Sequence, residues 1–459
     1  MKGVSVAVAL LTLCVGLQGQ DTRVVREPRI PPVCKILKAH LTRIGGADGI
    51  AFADEFRADT QRIQNSINQC AAGQAVELAP DGKHGAFLTA PIQLRPGVTL
   101  LIDKGVTLYG SRNPRDYDIT PGGCGVINNS IRRACRALIW GDNAPNAGIM
   151  GDGVIEERGG AKLIIDGMVQ KESWWDMSRR SKAGGHKHNP RIIYVDHCDN
   201  FTLYRITLRN SASSHAAYAD GNGFTVWGVK LDTPKDAINA DGIVPYASKN
   251  ITITHSFIRV GDDNIVLKAD GNGPVTNVTI VHNHFYYGHG MSIGSGTMPE
   301  VRAIRVTDLS LDGTQLAGIR IKSAISNGGL VHDVVYDDIC IRNSERPIQL
   351  LTHYTDFPGP ATNHLPVFND ITFRNVRISG GGKIMLDGLD ARHRIGVRFD
   401  GVTVDNPEAY KFYIRHADIT LGPGPVNFKP SGEDTVVKGD PGYGVLPSCK
   451  DKFVPFPAD

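Results

Sequence analysis

The chain has 459 residues, 41% of them hydrophobic and 21% charged, with 52 glycines and a formal net charge of +3. That balance excludes a disordered or membrane-embedded chain, and glycine without a Gly-X-Y period excludes collagen and points to many tight turns. A charge this close to neutral gives no basic surplus for tracking phosphates, so no nucleic-acid partner is expected.

Residues 1–20 read as a secretion signal: Lys2, an apolar run from Val4 to Val15, and a small residue at Gly19. A bilayer span needs about 20 apolar residues, and no stretch reaches that, so a secreted, extracellular protein without a membrane partner is expected. Residues 21–459 read as one domain. Without Cys14, seven cysteines remain. In an oxidising compartment Cys34 with Cys70 and Cys124 with Cys135 read as bridges, while Cys198 and Cys340 lie in apolar runs and read as buried free thiols. Cys449, in the tail, is left unassigned.

Between Asp59 and Cys70, Ile63 and Ile67 share one face of a short helix that caps the fold. Trp174 and Trp175 read as packing residues. Arg179 to Arg191 holds five cations, two histidines and no acid, so it either lines a cleft and steers a polyanion or is a solvated loop. Sequons start at Asn128, Asn200, Asn250 and Asn277; the last three stand at strand starts, where a structural role competes with a sugar.

From about residue 200 a β-rich unit recurs. Its apolar positions are Phe201, Phe224, Ile251, Val278, Ile304, Val334, Ile371 and Val397, spaced 23 to 37 residues apart, with weaker copies at Val98 and at Arg191-Ile-Ile-Tyr. Apolar and polar residues alternate within each unit, the period of a half-buried strand, and Gly, Asn and Asp punctuate the units. The units carry no crossover helix, which a βαβ sheet or TIM barrel needs, and are too short for propeller blades. The reading is an all-β, single-stranded parallel β-helix with an N-terminal cap helix and a tail, about 421–459, over the far end or a flank.

Stacking coils makes neighbours of residues one coil apart. Four consecutive coils carry Asn239-Ala-Asp241-Gly, Gly261-Asp262-Asp263-Asn, Gly288-His289-Gly and Arg320-Ile-Lys322, all late in their coil. Three carboxylates within one or two strand spacings repel, so at least one pKa rises; a raised carboxyl serves as general acid and an ionised neighbour as base. That is equipment for glycosidic bond cleavage. Arg320 and Lys322 share a strand face and call for an anionic ligand group. The inference is a hydrolase of an acidic sugar polymer, without cofactor or metal.

In that order, NADG, GDDN, GHGMSIGS and GIRIKS resemble the signature set of the polygalacturonases, family 28 of the glycoside hydrolases. Ser173-Trp-Trp, Leu100 to Leu108 and Ser248-Lys-Asn-Ile-Thr-Ile are similar to its bacterial branch. The resemblance implies a right-handed β-helix that hydrolyses α-1,4 bonds of de-esterified homogalacturonan with inversion, endo-acting and monomeric. By motif, Asp262 is the general acid, Asp241 and Asp263 hold and deprotonate the water, and His289 tunes the acid. Arg320 and Lys322 grip a galacturonate carboxylate, Tyr354 binds substrate, and Asn239 orients Asp241 or sugar hydroxyls. The chain departs from the family pattern at Ala240 (usually Thr) and Val244 (usually Asp), beside Asp241.

Three alternatives stand. A Ca²⁺-dependent pectate lyase would use Asp262, Asp263, Asp270 and Asn264 as oxygen ligands. A catalytically weakened relative would bind pectin without cutting it. A relative acting on rhamnogalacturonan or xylogalacturonan is the closest rival. His282, His284 and His289 fit no standard zinc motif.

Overall fold

The computed structural model describes residues 21–270, 272–354 and 361–458. The secretion-signal reading of residues 1–20 lies outside the described residues. Within them, short strands coil so that each pairs in parallel with the strand one coil before and one coil after. The repeat positions form a single ladder: Phe201 pairs with Phe224, Phe224 with Ile251, Ile251 with Val278, and so on through Ile304, Val334, Ile371 and Val397. The weaker copy at Val98 joins this ladder through Thr99 and Gly148. The copy at Arg191 does not; Ile193 aligns with Ile139 and Ala216 on another face.

The punctuating residues have a conformational reason. Asn200, Gly223, Asn250, Asn277, Ala303, Asp333 and Asp370, each just before a ladder residue, all have positive φ. That region is open to Gly and least costly for Asn and Asp among the rest. A second set of positive-φ corners, at His255, His282, Asp308, Asp338 and Asn375, turns the first face into the second. The sequon asparagines Asn200, Asn250 and Asn277 are thus turn formers, whereas Asn128 lies in a short strand. They also hydrogen-bond up the stack, Asn277 to Asn250 and Asn250 to Asn222.

Each coil has three faces. In one, Lys249–Thr254 forms the first, Phe257–Arg259 the second and Ile265–Leu267 the third. Inward Ile, Val, Leu and Phe fill one continuous core, with aromatic stacks at Phe201–Phe224–Tyr218 and Tyr336–Phe373–Phe399. Helix α1 (Thr60–Gln69) covers the N-terminal end, with Ile63 and Ile67 fully buried and Cys70 bridged to Cys34. Cys124 bridges Cys135, and Cys198 is a buried free thiol.

Two readings are corrected. Cys340 is not a free thiol: it bridges Cys449, whose segment returns along the second face. Lys452 pairs there with Asp308 and Asp338, and Phe453 and Phe456 lie under Arg342 and Arg259. The basic stretch from Arg179 is not all loop. Helix α2 (Trp174–Ser181) ends within it, opened by a reciprocal cap between Ser173 and Asp176. Trp174 is buried, and Trp175 Nε1 donates to the Ser211 carbonyl.

Candidate active site

The polar motifs meet where the chain turns from the second face onto the third. Ile243, Ile265 and Met291 are aligned across three coils. Asp241, Asp263 and His289 each stand two residues before them, so they form one row along the stack. Asp262 sits beside that row. A second outward row runs Val244–Val266–Ser292–Arg320, and a third carries Lys268 and Lys322 with Gly294 between them. The glycines around His289 are steric requirements. A Cβ on Gly290 would lie 1.9 Å from the Gly318 carbonyl, and one on Gly288 2.6 Å from Asn264 Oδ1.

Asp263 is buried. It accepts from Ser292 Oγ at 2.6 Å and Lys322 Nζ at 2.8 Å, with Arg320 Nη1 at 4.0 Å. Asp262 accepts from His289 Nδ1 at 2.9 Å and the Asp263 N–H at 2.9 Å. Asn239 Nδ2 reaches Asp262 at 3.4 Å, so in this structure it orients Asp262 rather than Asp241. Asp241 lies 3.7 Å from Lys268 Nζ. The Tyr354 ring lies 5.2 Å from the Arg320 guanidinium and 5.4 Å from Lys322 Nζ. All eight residues singled out from the sequence belong to this cluster or its rim.

The electrostatics separate the carboxyls. Burial, reinforced by Asp262 and Asp263 and opposed by Lys268, pushes Asp241 up to about 6. Burial also raises Asp262, but the hydrogen bond and charge of His289, with Lys322 and the Asp263 N–H, outweigh it and hold Asp262 well below the usual carboxylate range. Burial depresses His289, yet Asp262 and Asp263 overcome this and raise it. The raised carboxyl is therefore Asp241. Ala240 and Val244, the two departures from the expected pattern, are fully buried apolar groups close to it in sequence.

Sequence reasoning missed Lys268, Ser292 and His215 as site residues, and it held Lys187 only as one of the cations of the basic stretch. Lys268 lies five residues past Asp263 and two outward positions along its strand, so alternation carried the signal. Ser292 was visible only as part of a motif. Buried, neutral His215, held at about 4 by burial, grips the Asp241 carbonyl through Nδ1 at 2.8 Å. Lys187 bonds Ser178 Oγ and the Ile238 carbonyl, each at 2.7 Å, and burial lowers it to about 8. In the same stretch Arg179 and Arg180 are paired locally with Asp176, Asp236 and Glu172.

The proposed calcium set is not assembled as ligands. Asn264 is fully buried, donating to the Ile258 and Tyr287 carbonyls and accepting from the Gly290 N–H, and Asp263 is taken by Lys322 and Ser292. His282 and His284 bond Asp308 and Ser310, apart from His289 on Asp262.

This grid of acids and cations on a coiled stack is shared with known proteins. Residues 87–417 match the family of glycosyl hydrolases 28. The chain belongs to that family. An endo-polygalacturonase of Pectobacterium carotovorum subsp. carotovorum is 38% identical over 412 residues, covering 88% of this chain and 96% of its own length. A polygalacturonase of Ralstonia nicotianae is 35% identical over 494 residues, covering 94% and 92%. The solved polygalacturonase from Erwinia carotovora ssp. carotovora superposes with a TM-score of 0.79 at 37% identity, covering 87% of this chain and 99% of that one. The fold is accordingly the right-handed parallel β-helix of this glycosidase family.

Proposed function

We propose that this family 28 hydrolase cleaves α-1,4-galacturonosyl bonds of de-esterified homogalacturonan, internally and with inversion. The observation that carries the reading is the charge arrangement of the groove. Three carboxyls face Lys187, Lys268, Arg320 and Lys322, a surplus of fixed positive charge, and Arg320 Nε is buried without a hydrogen-bond partner among the described residues. Such a site favours a uronate carboxylate over a neutral sugar. The polygalacturonase relatives support the same substrate.

His289 Nδ1 lies 2.9 Å from Asp262, close enough for a proton held by His289 to pass to it. With the proton on Asp262, it passes to the leaving glycosidic oxygen as that bond breaks. Asp241 and Asp263 hold a water on the opposite side and take its proton as the new C–O bond forms. Arg320 and Lys322, with Tyr354 over them, hold the carboxylate of the sugar next to the bond. A second reading follows from the elevation of Asp241 to about 6, which suits a proton donor. A substrate with an activated leaving group separates the two, because it bypasses the acid. Activity of Asp262→Asn should be rescued and that of Asp241→Asn not; the opposite result exchanges the roles.

The protein acts outside the cell, as a monomeric single-domain enzyme exported by its N-terminal segment, with no nucleic-acid or membrane partner. Disulfides support an oxidising compartment, and no helix among the described residues is long and apolar enough to cross a membrane. The deciding experiment is release of reducing ends from polygalacturonate in the presence of a chelator, with product sizes followed. Rapid loss of chain length supports internal hydrolysis. An unsaturated, ultraviolet-absorbing product that needs calcium would mean a lyase, and binding without new ends would mean a non-catalytic relative.

A further inference from the structure

The third face continues N-terminally beyond Asp241, and the same register carries a second set of chemical groups. Ile265 aligns with Ile243, Ile243 with Ala216, Ala216 with Ile193, and Ile193 with Ile139. Arg191 stands two residues before Ile193, the position that Asp241 and Asp263 hold in their own coils. At about 4.8 Å per coil it lies roughly 14 Å along the row from Asp263. Its Nε donates to Ser214 Oγ at 2.8 Å, and Ser214 is the residue of the same row one coil nearer to Asp241.

Two more arginines gather there. The Arg133 guanidinium lies 3.9 Å from the Tyr194 ring centroid, with Arg191 at 5.6 Å from the same ring. Arg136 lies 4.8 Å from the ring of Trp140, the residue paired with Tyr194 one coil further out. Arg133 and Arg136 are exposed, and neither forms an ion pair among the described residues. That sets them apart from Arg259 and Arg342 of the second face and Arg205 at its corner, each forked onto a carboxylate. The segment that carries them is fixed. Cys135 is bridged to Cys124, and the Arg136 N–H donates to the Tyr117 carbonyl.

The space around them is open and extends along the third face toward the candidate active site. Two clefts of about 230 and 320 Å³ share Arg133 and Tyr194 as walls. The larger runs to Tyr246, whose ring lies 5.6 Å from Lys268, the partner of Asp241. Ala217 and Ala219 keep the floor between the two regions low. Acids also line these clefts, and Asp196 and Asp270 lie near enough to act on Arg133 and Arg191 by charge, without forming an ion pair with either. Asp142 and Asp196 lie two positions further along their strands than Trp140 and Tyr194. Asp196 is engaged by His197 at 2.6 Å and by the Tyr194 hydroxyl at 3.4 Å. Asp220 and Asp270 line the larger cleft.

We propose that Arg133, Arg136 and Arg191, held over Tyr194 and Trp140, form a distal subsite that binds a uronate carboxylate of the same polyanion, three to four coils N-terminal of the cleavage position. The chemistry is specific. A guanidinium matches a carboxylate with two parallel hydrogen bonds, and stacking on an aromatic ring pre-orders it, so less freedom is lost on binding. A neutral sugar gains none of this. The consequence is a preference for long chains: an oligomer that reaches both the catalytic row and the arginines is held at two points, and cutting falls away from its end.

The inference rests on the proposed function and deepens it. It is tested on galacturonate oligomers from trimer to octamer, with the native chain and with R133A/R136A, in the presence of chelator. Both side chains are exposed and unpaired, so the variant retains its fold. The ratio of kcat/KM for octamer over trimer should fall about tenfold in the variant, mostly through KM. The charge-reversed R133E/R136E should lower it further, and products from the octamer should shift toward its ends. A ratio equal to that of the native chain, or a loss equal at every length, overturns the distal subsite while leaving the hydrolase standing. A native chain that cuts no galacturonate polymer overturns both.

Discussion

Two of the places where the molecule buries charge behave differently. Near the N-terminal end, Arg158 is fully buried and donates to Glu55 at 2.6 Å and to the Gly110 and Asp48 carbonyls; Arg112 holds Glu55 from the other side. Burial pushes Glu156 and Glu157 beside it up to about 7, further than Asp241. In the groove of the third face the side chains of Asp262 and Asp241 retain 16% and 14% exposure, whereas Glu55 retains 4% and Arg158 none. A displaced pKa therefore does not by itself mark a site. Glu156 and Glu157 accept from the coil residues Arg158, Asn210, Ser211 and Ala212, and Glu55 ties the segment before α1 to Arg112 and Arg158. In the groove Asp263 is as buried as Glu55, and it is Asp262 and Asp241 that keep an open side for a substrate.

Substitutions test this contrast. Asp262→Asn should lower kcat on polygalacturonate by about 10³-fold or more while the chain stays folded by circular dichroism. Arg158→Leu should do the reverse, costing about 1–3 kcal/mol of stability by leaving the buried Gly110 and Asp48 carbonyls without their donor, with near-native turnover in the fraction that remains folded. Loss of activity without loss of stability in Arg158→Leu would break the comparison.

Asp241 should show the cost of a reachable carboxyl. Its folded pKa, about 6, lies above the unfolded value, so the folded chain binds the extra proton. Stability therefore falls as pH rises from about 4 to about 6, and the penalty is complete above that. Asp241→Asn should be more stable than native by on the order of 2–3 kcal/mol at pH 7.5 and no more stable at pH 3.5. The denaturation midpoints at the two pH values decide it, and a pH-independent difference refutes the assignment. Native activity should decline on the acid side near pH 6, as the water-activating carboxylate is protonated. A smaller effect is expected for Arg320→Ala: about thirtyfold weaker binding of oligogalacturonate, some 2 kcal/mol, measured by calorimetry; unchanged affinity would remove the clamp.

Much of this was legible in one dimension because a β-helix converts sequence period into spatial adjacency. The eight ladder residues from Phe201 to Val397 fall on one line, and the order of the four polar motifs is the order of their coils. What was not legible depends on contacts that no period encodes. Cys340 finds Cys449 across 109 residues, through a tail that folds back. Helix α2 is too short for its apolar period to stand out, although Ser173 and Asp176 signal its cap. Lys268 shares a row with Lys322 only once the unequal turns before them are placed in register. The division of the carboxyls into raised Asp241 and depressed Asp262 follows from burial and from the direction in which His289 points.

The most direct test is a crystal structure of Asp262→Asn with trigalacturonate. One galacturonate carboxylate should lie on Arg320 and Lys322, with the glycosidic oxygen within hydrogen-bond reach of residue 262 and a water between Asp241 and Asp263. An oligomer seated on another face, or with its carboxylates away from both cations, would contradict the account.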